Sequence, residues 1–171
     1  MGVLEQFRMD GKRGFITGAA QGIGSVLADA FAQVGANFVI ADIDVEKAEA
    51  VAAELCGRYG RDIHAVRCDV SDPASVEGML AETVGRYGGV DFAINNAGIV
   101  DFYPVQEADP TAWKRVLDVN LYGVFLTARA AARQMVEQGS GGTITNMASM
   151  SAHIINTPQK TSSYCTSKAG V

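Results

Sequence analysis

Arg13-Gly14-Phe15-Ile16-Thr17-Gly18-Ala19-Ala20-Gln21-Gly22-Ile23-Gly24 joins a short, partly β-branched run to three glycines. From Ile23 to Val34 the apolar residues then return with helical spacing. The stretch predicts strand, tight turn, helix. Glycine lets a backbone come close to a ligand, and a helix that starts there presents unpaired N–H groups to an anion. A pyrophosphate suits such a turn. A tight turn with small residues for packing is the plainer alternative, and placement between strand and helix favours the anion.

Outward from this unit the alternation repeats. Phe38 to Ala41 predicts a strand, Val45 to Tyr59 a helix with Asp44 as its N-cap, and Ile63 to Cys68 a third strand. Asp72-Pro73, a cap residue with proline behind it, opens a helix to about Tyr87. Val90 to Ile94 is the next strand. Asp109-Pro110 opens a long helix whose buried stripe runs through Trp113, Val116, Leu117, Leu121, Val124 and Ala128. Gly139 to Gly142 ends it, Thr143 to Asn146 makes a fifth strand, and a last helix begins near Tyr164. Strands alternating with helices require right-handed crossovers between parallel neighbours, so the expected fold is α/β, a doubly wound parallel sheet of the Rossmann type. It forms a single domain over residues 1–171, ending after the fifth strand and the start of the next helix.

The bulk numbers exclude several functions. A chain of 171 residues, 48% of them hydrophobic, suffices for one sizeable core. A net charge of -5 and a pI of about 5.0 offer no attraction to phosphate backbones, so no nucleic acid partner is expected. No stretch reaches the ~18 apolar residues of a membrane span, and Met1 to Asp10 lacks the apolar run of a signal sequence. A cytoplasmic protein without membrane contact is expected. Cys56, Cys68 and Cys165 form no CxxC pair and read as reduced packing residues. Cys56, His64 and Cys68 lack metal-ligand spacing, and His64 and Cys68 fall in an expected buried strand, so no metal is predicted.

Asp42 ends the second strand about 20 residues beyond the glycine turn, where a carboxylate accepts bonds from both hydroxyls of an adenosine ribose. No Lys or Arg follows at Ile43 or Asp44 to offset a 2′-phosphate, so NAD is the expected cofactor rather than NADP. A helix-start role for Asp42 is the alternative, though Asp44 already fills it. Asp69-Val70 follows the third strand and Asn95-Asn96-Ala97-Gly98 the fourth, both at the carboxyl ends where open α/β sheets bind ligands. In Tyr164-Cys165-Thr166-Ser167-Lys168, residues four apart share a helix face, which brings the Lys168 ammonium toward the Tyr164 hydroxyl. An unperturbed tyrosine titrates near ~10, and a neighbouring cation favours its phenolate, the form that takes a proton from an alcohol. Ser149, just past the fifth strand, suits a hydrogen bond to a substrate oxygen, with Ser151 as a rival. Asn120 is an amide within an apolar helix face and needs a partner there.

Taken in order, these motifs resemble the short-chain dehydrogenase/reductase family over essentially the whole chain; the glycine turn has that family's TGxxxGxG form rather than GxGxxG. The resemblance implies a cofactor held by Gly18, Gln21, Gly22, Ile23 and Gly24, with Asp69 and Val70 flanking the adenine. Asn96, Ala97 and Gly98 would line its sugar path, and Tyr164 and Lys168 would also touch it. It selects Ser149 over Ser151 and implies that Tyr164 is the general acid/base, with Lys168 beside it and Asn120 completing a water-linked proton relay. The loop from Ser149 to Gln159 is most similar to members acting on polyols and ketoses, such as galactitol, sorbitol or mannitol dehydrogenases. There Asn156 and Gln159 would meet substrate hydroxyls, or else close the loop's own backbone.

Members of that family continue past the YxxxK helix, so at roughly 30 residues per strand-helix unit ~60 or more residues would follow, and the domain is expected to be incomplete at its C-terminus. A homo-oligomer, dimer or tetramer, is expected of the full-length protein. Two other functions fit the same motifs: a reductase of an oxoacyl thioester, steroid or small ketone, and a non-catalytic NAD-binding module. A binding module has no need of a poised phenol.

Overall fold

The structure, a computed structural model, describes residues 2–155 and 158–171. Its sheet has five parallel strands: β1 Arg13–Thr17, β2 Asn37–Asp42, β3 Ile63–Arg67, β4 Phe92–Asn95 and β5 Thr143–Asn146. Their order is β3-β2-β1-β4-β5, so the chain reverses its winding direction at β1. Six α-helices accompany them among the described residues: α1 Gly22–Gln33, α2 Val45–Tyr59, α3 Pro73–Tyr87, α4 Pro110–Leu117, α5 Gly123–Glu137 and α6 Ser162–Gly170. This is the doubly wound Rossmann arrangement that the alternation predicts.

Side chains alternate across a strand, and the two sheet faces carry separate cores. On one face Phe15, Val39, Val66 and Ala93 meet Val76, Met79 and Leu80 of α3 and Leu126, Ala130 and Met135 of α5. On the other Ile16, Phe38, Ile40, Phe92 and Ile94 meet Ala28 and Ala32 of α1 and Ala48, Ala52 and Leu55 of α2. Gly14 makes the second face possible. A Cβ there would lie 2.0 Å from the Phe92 carbonyl oxygen and 2.8 Å from its ring.

The predicted caps are in place. Asp44, Asp72 and Asp109 accept from the backbone N–H groups of Lys47, Ala74 and Thr111, which satisfies helix donors otherwise left unpaired. Two local expectations change. β4 starts at Phe92 rather than Val90, because the Gln138 amide takes both the N–H and the carbonyl of Val90. His64 is not a buried strand residue: its side chain is 45% exposed, and Nε2 sits 3.8 Å from Glu82. All three cysteines are free: Cys68 is buried in the first core, Cys56 packs partly buried against the second, and Cys165 is partly buried.

The largest change lies in the long helix. Between α4 and α5, Asp118–Tyr122 takes a wider π turn in which the Gly123 N–H reaches back to the Asp118 carbonyl. Such a widening inserts one residue and rotates the helix beyond it. Asn120 sits in this turn, fully buried. Among the described residues no helix is long and apolar enough to cross a membrane.

Candidate active site

The carboxyl ends of the strands enclose a cavity of about 790 Å³, located where β1 and β4 part, the topological switch point of an open sheet. Gly18, Gln21, Gly22 and Ile23 line it from the β1 turn, Asp42 from β2, and Asp69 and Val70 from β3. Asn96, Ala97 and Gly98 line it after β4, Ser149 after β5, and Gln159, Tyr164 and Lys168 from the last segment. Gly24 stands behind the wall, and so does Asn120. Asn156 lies outside the described residues.

The glycine turn is dictated by close approach. Gly18 and Gly22 have φ of 64° and 59°, a left-handed conformation that favours glycine. A Cβ on Gly18 would stand 2.7 Å from the Ala97 Cα, and one on Gly24 would stand 2.1 Å from the Gly18 carbonyl oxygen. The Asn96 amide donates to the carbonyls of Thr17 and Gly18, both at 3.0 Å, and the Thr17 hydroxyl accepts from the N–H groups of Asn96 and Ala97, both at 3.1 Å. Thr17 thus ties the β1 and β4 turns together. The sequence marks it only as the last strand residue.

Asp42 is fixed by backbone donors: Ala20 N–H to Oδ2 and Asp44 N–H to Oδ1, each 3.0 Å. Each oxygen keeps a further lone pair for a ligand hydroxyl. The Ser71 hydroxyl, at 2.6 Å, holds the Asp69 carboxyl below the usual carboxylate range, with the Ser71 N–H assisting. Burial raises the Cys68 thiol to about 11, so this cysteine is inert at neutral pH.

At the other end, Tyr164 and Lys168 lie one turn apart in α6, with the Lys168 Nζ 5.8 Å from the centre of the Tyr164 ring. Lys168 is nearly buried, and burial lowers its pKa. Its ammonium donates to the Met147 carbonyl at 2.5 Å, a partner that spacing along one helix cannot reveal. The Ser149 hydroxyl caps the short 3-10 turn Met150–Ala152 by accepting from the Ser151 N–H. It receives that bond and gives none among the described residues, whereas Ser151 is buried.

Asn120 is a clamp. Its Oδ1 accepts from the Ile99 N–H and its Nδ2 donates to the Ile99 carbonyl, both at 2.8 Å, and Nδ2 also reaches the Ser167 hydroxyl at 3.1 Å. The amide therefore holds the turn after β4 and helix α6 at once. A Cβ on Gly98 would lie 3.3 Å from the Asn120 Oδ1 and 3.7 Å from the Lys168 Nζ, so glycine leaves a small space between the two. Among the described residues no group of three or more His, Cys, Asp or Glu side chains could hold a metal ion.

Comparison with known proteins agrees with this geometry. A family profile described as short chain dehydrogenase matches residues 12–171. The D-threitol dehydrogenase of Mycolicibacterium smegmatis is 40% identical over 165 residues, which are 96% of this chain and 62% of that protein. The sorbitol dehydrogenase of Cereibacter sphaeroides is 38% identical over 164 residues, again 96% and 62%. A short-chain type dehydrogenase/reductase from Mycobacterium marinum superposes with a TM-score of 0.96 at 48% identity, covering 99% of this chain and 68% of that one. A gluconate 5-dehydrogenase from Burkholderia cenocepacia, solved with NADP and tartrate, superposes with a TM-score of 0.89 at 35% identity, covering 99% and 65%. The chain spans about 62% of the length of the curated relatives it matches.

Proposed function

The chain belongs to the short-chain dehydrogenase family, and from that premise we propose that the whole protein is an NAD-dependent oxidoreductase acting on a secondary alcohol of a polyol or sugar, with Tyr164 as general acid and base. The observation that carries this is the convergence of Tyr164, Lys168 and Ser149 on the same cavity as the glycine turn. The residues fit a dinucleotide: the places where a Cβ on Gly18 or Gly24 would collide lie in a backbone cradle, and the anchored Asp42 carboxylate suits ribose hydroxyls. When bound, the nicotinamide supplies the hydride chemistry. Asp42 supports NAD, because a 2′-phosphate would meet its negative charge. A structural neighbour that holds NADP makes this preference a matter for direct measurement.

The chain's own residues supply the rest. Ser149 presents its unspent O–H to the substrate oxygen, and Tyr164 takes the alcohol proton or returns it in the reverse direction. Lys168, fixed by the Met147 carbonyl, places positive charge beside the tyrosine ring. Asn120 serves the relay by holding the Ile99 turn and α6 together around the space beside Lys168. The relatives named for threitol and sorbitol support a polyol substrate, with Gln159 at the cavity wall as a contact for its hydroxyls. We place the full-length protein in the cytoplasm as a homo-oligomer, a dimer or tetramer.

The test mixes the whole protein with NAD and a panel of polyols and follows NADH absorbance, with NADP in parallel. Turnover of a polyol with NAD is expected. NAD binding without turnover of any alcohol or ketone would return the non-catalytic module, and a preference for NADP would remove the role given to Asp42.

A further inference from the structure

Asp101 follows the β4 turn and belongs to none of the sequence motifs. Its carboxylate accepts a hydrogen bond from the hydroxyl of Ser163, the residue immediately before Tyr164. Ser163 is only 1% exposed, so water cannot readily replace that acceptor. Next to this contact Tyr103 and Thr161 form an isolated parallel bridge. Further along α6, Ser167 donates to the Tyr164 carbonyl at 2.7 Å and accepts from Asn120, which itself grips Ile99. Tyr164 is thus bracketed on both sides by contacts to one segment, Ile99 to Tyr103.

The first turn of α6 needs this support. Its N-cap residue, Thr161, makes no side-chain capping bond. A carboxylate from another segment, bonded to a side chain of that first turn, also sits where the helix dipole favours negative charge. Resting on the assignment of Tyr164 as acid/base, we propose that Asp101, acting through Ser163, is a positioning residue that sets where the Tyr164 hydroxyl stands against substrate.

The experiment compares wild type, Asp101→Ala, Ser163→Ala, the double variant and Asp101→Asn in the whole protein, measuring kcat and KM for the polyol and Kd for NADH. Misplacing a reacting group by about 1 Å costs up to about a hundredfold, so each alanine variant is expected to lose about tenfold to a hundredfold in kcat. NADH affinity should stay within about threefold, because the cradle lies elsewhere, and the double variant should fall no further than the singles. Asp101→Asn keeps an acceptor for Ser163 and should recover most of kcat. Unchanged kcat in Ser163→Ala, losses that multiply in the double variant, Asp101→Asn as slow as Asp101→Ala, or NADH affinity falling in step with kcat would each overturn the proposal. Tyr164→Phe separates the two ideas: full turnover there removes the acid/base assignment itself, while an inactive Tyr164→Phe beside an unaffected Ser163→Ala removes only the role of Asp101.

Discussion

The two ends of the cavity are built by different means. At the β1–β2 end the surfaces offered to a ligand are mostly backbone: a turn that only glycine fits at Gly18 and Gly24, tied from behind by Thr17 and Asn96, and a carboxylate held by the N–H groups of Ala20 and Asp44. At the β4–β5–α6 end the parts are side chains reaching far along the chain. Asn120 meets Ile99 across 21 residues and Ser167 across 47, Lys168 meets Met147 across 21, and Ser163 meets Asp101 across 62. A surface made of backbone is indifferent to side-chain detail except where a Cβ would intrude or where a tether such as Asn96 holds it. A site made of tethers places individual side-chain atoms, and each tether is a separate point of failure.

Five changes, one of them a control, test this contrast. Tyr164→Phe removes the hydroxyl proposed as acid and base from the tethered end and should lower kcat by about 10²- to 10⁴-fold while leaving NADH affinity near wild type; equal losses in both would erase the division between the ends. Asp42→Ala, at the backbone end, leaves two N–H groups without their acceptor and should weaken NAD binding by about 1.5–3 kcal/mol, and by removing the charge a 2′-phosphate would meet it should narrow the preference for NAD over NADP, as read by titration calorimetry. An unchanged ratio of NAD to NADP affinity would mean that the carboxylate's grip on the turn, and not its charge, is what matters there.

Gly24→Ala places a methyl group against the Gly18 carbonyl, and denaturant unfolding should register about 1–3 kcal/mol together with lost cofactor affinity. Gly141→Ala is its control. Gly141 has a positive φ of 69°, which Gly24 does not, and nothing lies within 4 Å of its Cβ, so alanine there should cost about 1 kcal/mol through the backbone alone, with cofactor affinity intact. Matching losses of affinity in the two variants would show that the cradle is not where the contact matters.

The smallest effect concerns pH. The Asp69 carboxyl is lowered first by the Ser71 hydroxyl, so its contribution to stability is present above the ordinary value of 3.8 and is lost as pH falls through the lower folded-state value. Ser71→Ala returns the group toward 3.8, and acid unfolding should begin at a higher pH. The group is partly solvated, so less than about 1 kcal/mol is expected. An acid transition that does not move would show that Asp69 is held by something other than Ser71.

Legibility follows the same division. The caps at Asp44, Asp72 and Asp109 were readable because each acts on backbone within a few residues of itself, and the glycine turn and Asp42 because their spacing after a strand is the signal, although their partners Ala97 and Ala20 lie far along the chain. The pairing of Tyr164 with Lys168 was readable for the same reason, both being on one helix face. Asn120 carried half a signal: a buried amide must find partners, but nothing nearby in the chain names Ile99 and Ser167. Thr17, Asp101, Met147 and Ser163 carried none. His64 misled, because strand periodicity does not say which strand stands at the sheet's edge.

The amino-acid order alone determined the succession of strands and helices, the place of the phosphate-type turn and the register of the tyrosine and lysine. These depend on torsional preferences and on side chains three or four positions apart. Only the folded chain decided that the long helix widens at Asp118–Tyr122, that the Met147 carbonyl seats the lysine, and that Asp101 grips the residue before Tyr164. A hydrogen-bond partner tens of residues away is chosen by where the backbone returns in space, and that is set by the packing of the whole sheet.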